Sequence, residues 1–329
     1  LPGDPARMML GQRADVASVE AINRDLGRDL PPMKQFLLYA NDLSPLSILN
    51  TVDSSSRIFA DNAKYGKIVS LIPFGEKKVV LKSPYLRRSY QSQERVTTVL
   101  MDALPGTIVL SFAALIFAAI VGIALGVWSA LRFQKFEDHF TLIISVLGMS
   151  VPSFFAGILI AWLFGFVLHD YTGLEMTGSL YIVDPFDGMQ IQWKNLILPA
   201  FTLGIRPLSV IVQLTRSSML EVMAMDYIRT ARAKGLSPWL VIGKHALRNA
   251  LNPVLTALSG WLGSLLAGAV FIEYIFGWKG VGKVTVDALD HYDLPVVMGS
   301  VLMVSFFFVI INILVDILYA QLDPRIRVQ

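Results

Sequence analysis

The run Gly277-Trp-Lys-Gly-Val-Gly282-Lys283-Val284 comes within one residue of a phosphate-binding loop, G-x-x-x-x-G-K-[ST]. Val284 stands where a hydroxyl must hold magnesium, and the run follows an apolar stretch instead of a strand in a soluble domain. Nucleotide chemistry is therefore not expected here, and if ATP drives this protein, hydrolysis belongs on another polypeptide. The other reactive side chains are dispersed. His139, His169, His245 and His291 form no H-E-x-x-H helix, no G-x-S-x-G elbow occurs, and Ser217-Ser218 reads as a helix-end or packing pair. An intramembrane hydrolase would need a buried Ser, Asp or His with an orienting partner, and the sequence offers no such constellation. The absence of cysteine excludes disulfides and thiolate metal sites. No catalytic residue and no metal ligand set is expected.

The more informative ionisable residues lie inside apolar runs. The chain is 54% hydrophobic and 16% charged, with a mean hydropathy of +0.57, a membrane composition rather than a soluble one. Five segments, at 107–131, 140–168, 196–214, 254–276 and 295–319, are long enough to cross a bilayer, for which about 20 apolar residues suffice. Arg206 falls near the middle of the third, where a charge costs about 2.5–3.5 kcal/mol. It either lines a hydrated route or holds two helices together as a buried pair. Pro207 beside it can loosen the helix. Glu273, near the outer end of the fourth span, is a candidate for an external gate. Asp316, near the inner end of the fifth, reads as a structural or interfacial residue.

Loop charges orient the bundle. Arg132, Lys135, Arg216, Arg229, Arg232, Lys234, Lys244, Arg248, Arg325 and Arg327 fall on one side, against Lys194, Lys279 and Lys283 in the short loops of the other. The positive-inside rule makes the first side cytoplasmic and residues 1–104 external. A net charge of +3 is too small to argue for nucleic acid.

Between the third and fourth spans runs a basic segment. Leu220, Met223, Ala224, Tyr227 and Ala231 share one helical face, with Glu221, Arg229 and Arg232 on the other. Gly235 can take the left-handed conformation that stops a helix, and Ser237 and Pro238 read as N-cap and first-turn residues of the next. The segment is either an ordinary positive cytoplasmic loop or a docking element for a soluble partner.

At this point the residues resemble a known family. Arg229-Thr-Ala-x-x-x-Gly235 is similar to the E-A-A-x-x-x-G loop of ABC importer permeases, with Arg229 in place of Glu, and Lys244-His-Ala-Leu-Arg-Asn-Ala-Leu-Asn-Pro253 resembles the dipeptide/oligopeptide/nickel subfamily. Ser150-Val-Pro-Ser-Phe154, Leu196-Ile-Leu-Pro-Ala200, Arg216-Ser-Ser-Met-Leu-Glu221, Glu273-Tyr-Ile-Phe276 through Gly280-Val-Gly282 (with Lys279 for the family's proline), Asp293-Leu-Pro-Val and the tail Asp323-Pro-Arg-Ile-Arg327 follow in the family's order. The resemblance implies an all-α polytopic membrane protein with the type I ABC-importer permease fold. It implies a partner permease, two ATPase subunits carrying ATP and magnesium, and an external solute-binding protein, in a bacterial inner membrane. This chain itself would bind no cofactor. The coupling segment, 217–253, would dock on an ATPase subunit, with Tyr227, Arg229, Thr230, Ala231, Lys234, Gly235, His245, Arg248 and Asn249 as the matching positions. Di- or oligopeptides are the implied cargo, with nickel or another small solute as the alternative. An ion-gradient transporter is the alternative outside the family.

The same resemblance places Leu1-Pro-Gly-Asp-Pro5 just after a first transmembrane helix, so a sixth span is expected before Leu1. Residues 1–43 read as a helical, amphipathic external region with a turn at 26–31. Residues 44–85 read as an external insert, partly β, with strands at 67–72 and 78–81 around Pro73-Phe-Gly-Glu. It is either a surface elaboration or a partner-binding subdomain. Residues 86–329 form the permease domain.

Overall fold

The computed structural model describes residues 19–20, 23–24, 27–54, 56–184, 186 and 188–322. The chain divides into two compact units, Leu1–Asp102 with Asp287–Val301, and Ala103–Val286 with Leu302–Gln329. The expectations for Leu1-Pro-Gly-Asp-Pro5, for Leu26, for the Asp316 side chain and for the tail from Asp323 fall outside the described residues or side chains.

The first unit carries helix α1 (Pro32–Leu43) and a three-stranded antiparallel sheet of β1 (Leu46–Asn50), β2 (Val69–Phe74) and β3 (Lys77–Leu81), in the order β1-β3-β2. The expected hairpin is present, turning at Gly75-Glu76. The strand β1, which the sequence pattern did not indicate, pairs Leu46 with Leu81 and Asn50 with Lys77. Its inward side chain Leu49 packs with Val80 and Tyr65. Asp42, at the end of α1, fastens that helix to two later segments of the unit. It accepts from Tyr65 Oη at 2.7 Å and from Arg87 Nε at 3.2 Å. Burial beside these groups pushes the Lys82 ammonium below its usual pKa and the Tyr65 phenol above its own. Elsewhere in the same unit, Asp293 accepts from Ser89 Oγ and from the N–H of Tyr90 at 3.0 Å. The Asp293-Leu-Pro-Val stretch thus meets Ser89 and Tyr90 at one buried carboxylate.

The long helices are α2 (Val96–Leu131), α3 (Phe136–Ser150), α4 (Ser153–Trp162, running on through a π-helical turn at Leu163–Val167), α5 (Lys194–Met223) and, towards the end of the chain, α10 (Leu294–Leu322). Helix α2 buries Leu110, Ala114 and Ala118 yet exposes Phe112, Ile116 and Ile120. A helix apolar on every side suits lipid, not water. Among the described residues, three helices (α2, α5 and Leu294–Val315) are long and apolar enough to cross a membrane, and α3 with α4 would make a fourth.

Two expected spans are not continuous. The segment 140–168 bends by 108° between α3 and α4. Pro152 lacks an N–H and drives Val151 to ψ 129°, outside the helical region. The segment 254–276 divides into α7 (Asn252–Gly268) and α8 (Val270–Ile275). A short hairpin, β4 (Tyr181–Asp184) with β5 (Gly188–Ile191), precedes α5, where the sequence pattern gave no sign of strands.

Candidate functional site

The basic segment folds as a compact module. Helix α5 ends at Met223, and Met225 takes an extended conformation (ψ 148°) before α6 (Asp226–Ala233) begins. This break corrects the single helical face expected over 220–231. Its phase slips, so that Ile228 and Ala231 point inward while Tyr227 is exposed. Asp226 in the first turn and Arg232 in the last both complement the helix dipole. The exposed Arg229–Asp226 pair at 3.6 Å adds little.

The stop is a Schellman turn. The N–H of Leu236 donates to Ala231 O at 3.4 Å and that of Gly235 to Arg232 O at 3.0 Å, with Gly235 at φ +75°. Ser237 then flanks the next helical stretch through its extended backbone without a side-chain cap bond, and Pro238 takes the first position. That stretch runs through Pro238–Leu240, a π-helical Val241–Leu247 and Arg248–Ala250. Its inner face (Val241, Ala246 and Ala250) packs on Ile228, Ala231 and Met219. Asn249 Nδ2 donates to Tyr227 Oη at 2.9 Å and to His245 O at 3.2 Å, closing the two helical pieces on each other.

The structure therefore gathers the nine expected coupling positions into one module, in different roles. Arg229, Thr230, Lys234, Gly235, Arg248, Asn249 and Tyr227 are exposed, His245 is half-buried, and Ala231 belongs to the core. Lys244, Arg232 and a largely exposed Trp239 join the outer surface. A basic surface with a protruding tryptophan is held by a buried apolar seam.

An ion pair that sequence reading missed anchors this module's approach. Arg216, a loop cation on sequence grounds, forks onto Asp138 with Nε–Oδ1 2.6 Å and Nη2–Oδ2 2.8 Å. Ser129 Oγ and the Gln134 N–H also donate to that carboxylate. Asp138 is 2% exposed and Arg216 18% by side chain.

Glu273 is wholly buried on α8. Its Oε2 accepts from the N–H of Gly282 at 2.7 Å and of Lys283 at 3.2 Å, while Thr107 Oγ1 accepts from the Val281 N–H at 2.8 Å. These are the first N–H groups of α9 (Val281–Asp290), otherwise without intrahelical partners. A Cβ on Gly280 would collide with the Glu273 carboxyl, and one on Gly282 would lie 2.8 Å from its Oε2. The near-match to a phosphate loop is thus a helix start whose acceptor is the protein's own Glu273 carboxyl group. Arg206 sits exposed on α5, and among the described residues no carboxylate lies within ion-pair distance of it. The pairing alternative finds no partner within the described part of this chain.

Residues 122–328, which contain the module, the Asp138–Arg216 pair and the Glu273 loop, match the model of the binding-protein-dependent transport system inner membrane component family. The chain belongs to that family. It is a multi-pass inner-membrane permease subunit and not an enzyme. Similar proteins include a di/tripeptide transport system permease of Pseudomonas aeruginosa, 36% identical over 100% of this permease and 91% of the relative. A probable D,D-dipeptide transport system permease of Escherichia coli is 36% identical, covering 99% and 89%. The glutathione transport system permease of Escherichia coli is 33% identical, covering 99% and 90%. Among solved structures, a chain of the inward-facing methionine ABC transporter MetNI superposes with a TM-score of 0.54 over 69% of this permease and 97% of that chain, at 16% identity. That likeness establishes the ABC-importer permease fold.

Proposed function

We propose that this permease forms one half of the membrane pathway of an ATP-driven importer for di- and tripeptides. The di/tripeptide, D,D-dipeptide and glutathione names of its relatives support that cargo class. The module built by α6 and residues 238–250 is the docking surface for a cytoplasmic ATPase subunit, which carries ATP and magnesium. Its exposed cations and Trp239 supply the contact, and its seam of Ile228, Ala231, Val241 and Ala246 makes it move as one piece. A second permease completes the pathway, and an external binding protein delivers the peptide towards residues 1–43 and the insert 44–85. Arg206 lines the route. Glu273 holds the external gate loop in shape from within.

The observation that carries this reading is the closed, basic module on a chain of this family. Its test is uptake of a labelled dipeptide by the complete transporter in vesicles with ion gradients clamped. ATP-dependent uptake, lost when the Tyr227–Asn249 and Gly235 contacts are broken, is expected. Gradient-driven uptake without ATP would overturn the reading.

A further inference from the structure

Arg206 is the one charged residue of α5 between Lys194 and Arg216. It lies about 18 Å along the helix from Lys194, near the middle of a hydrocarbon layer about 30 Å thick. It is exposed, and among the described residues it makes no hydrogen bond and no ion pair. A guanidinium at that depth faces water or a counter-charge, not lipid.

The two directions along α5 differ. Towards Lys194, Thr202 and Leu203 are buried, and a Cβ on Gly157 of α4 would lie 3.7 Å from Thr202 Cγ2. Towards Met223, Gln213 and Ser217 follow Arg206 at seven and eleven residues, on its own face, with Val210 between. That face is open. Ser217 is exposed, and half-buried Gln213 reaches the Met149 sulfur at 3.4 Å. Arg206 thus heads a polar strip, at the point where the covered part of the helix gives way to the open part.

A cation at the head of such a strip recognises an anion. Peptides vary in every side chain, but each unblocked one ends in a carboxylate, whose two oxygens match the fork of a guanidinium. The terminal ammonium offers a cation nothing. We propose that Arg206 holds the terminal carboxylate of the peptide during its passage, so that this permease selects free-acid peptides independently of the binding protein. The inference rests on the peptide-importer reading above.

The test uses the complete transporter with its binding protein in proteoliposomes, comparing ATP-driven uptake of dialanine, dialanine amide and N-acetyl-dialanine. The binding protein's own preference is common to wild type and variants, so it cancels when their acid-to-amide ratios of kcat/KM are compared. Arg206→Met is expected to lower the preference for acid over amide about tenfold, the lower end of what a hydrogen bond to a charged group contributes. The response to N-acetylation should not change, and Arg206→Lys should keep most of the preference. An unchanged acid-to-amide ratio in Arg206→Met would overturn the proposal. So would loss of assembly in that variant, which would assign Arg206 to a carboxylate of the partner permease. A wild-type transporter that hydrolyses ATP in response to the binding protein, yet takes up none of the three peptides, would overturn the peptide-importer reading itself and this proposal with it.

Discussion

Arg216 reaches Asp138, 78 residues earlier in the chain, through two hydrogen bonds of 2.6 and 2.8 Å. The pair clamps the start of α3 to the last turns of α5, seven residues before the end of that helix and the turn into α6. Any force on α6 enters the bundle next to this clamp.

Replacing Arg216 with Met strands a buried carboxylate and is expected to destabilise the assembled permease by about 3–5 kcal/mol. Thermal unfolding in detergent measures it. Adding Asp138→Leu should restore part of the loss, because the pair's removal leaves no uncompensated charge. If the double variant is no better than Arg216→Met alone, the carboxylate is not the source of the instability.

Gly235→Val forces a β-branched residue to φ +75° at a point where a Cβ meets nothing within 4 Å. The effect is conformational, about 1–2 kcal/mol on the turn, with no clash to confuse it. Membrane insertion should be normal while ATPase co-purification and uptake fall. Gly235→Asn, which tolerates the left-handed region, should retain both. Equal losses in Asn and Val would show that the turn's backbone conformation is not what matters.

Glu273→Ala removes the acceptor of the buried Gly282 N–H, at about 1–3 kcal/mol for an unsatisfied group. Glu273→Gln keeps an acceptor oxygen and should lose less. Melting temperatures in the order wild type, Gln, Ala are expected. Identical melting for Gln and Ala would mean the capping bonds do not stabilise α9.

Arg206→Met keeps length and packing while removing a charge that has no ion-pair partner among the described residues. Stability should hold or improve, and peptide uptake should fall or change selectivity. A marked loss of stability would point to a carboxylate on the partner permease.

The parts of this structure that were legible in the sequence are those with local causes. Gly235 and Pro238 impose their own backbone conformations, so the stop and restart of the basic module can be read from neighbours alone. Pro152 lies inside what reads as one continuous span, because an internal proline is tolerable in a packed membrane helix, and the 108° bend depends on how α4 packs after it. Tyr227 leaves the apolar face on which helical spacing places it, because a break at Met225 resets the helical phase and periodicity carries no information across a break. Strand β1 draws its stability from pairing with β3, some thirty residues on. Asp138 carries no local signal in the sequence, because its partner Arg216 lies 78 residues on, in a different helix. The Glu273 motif was recognisable, whereas its meaning (a carboxylate filling a helix start) needed the fold to bring residue 273 against residue 282.

The central claim is that the outer face of α6 and residues 238–250 meets the ATPase. Because the chain contains no cysteine, single cysteines at Arg229 and Trp239 can be cross-linked without background, with Ile48 on the exposed side of β1 as a control. In the complete transporter, positions 229 and 239 should each form an adduct with the ATPase subunit that changes on ATP binding, and position 48 should form none. ATPase adducts absent from both 229 and 239, in a complex where that subunit still co-purifies, would contradict the account.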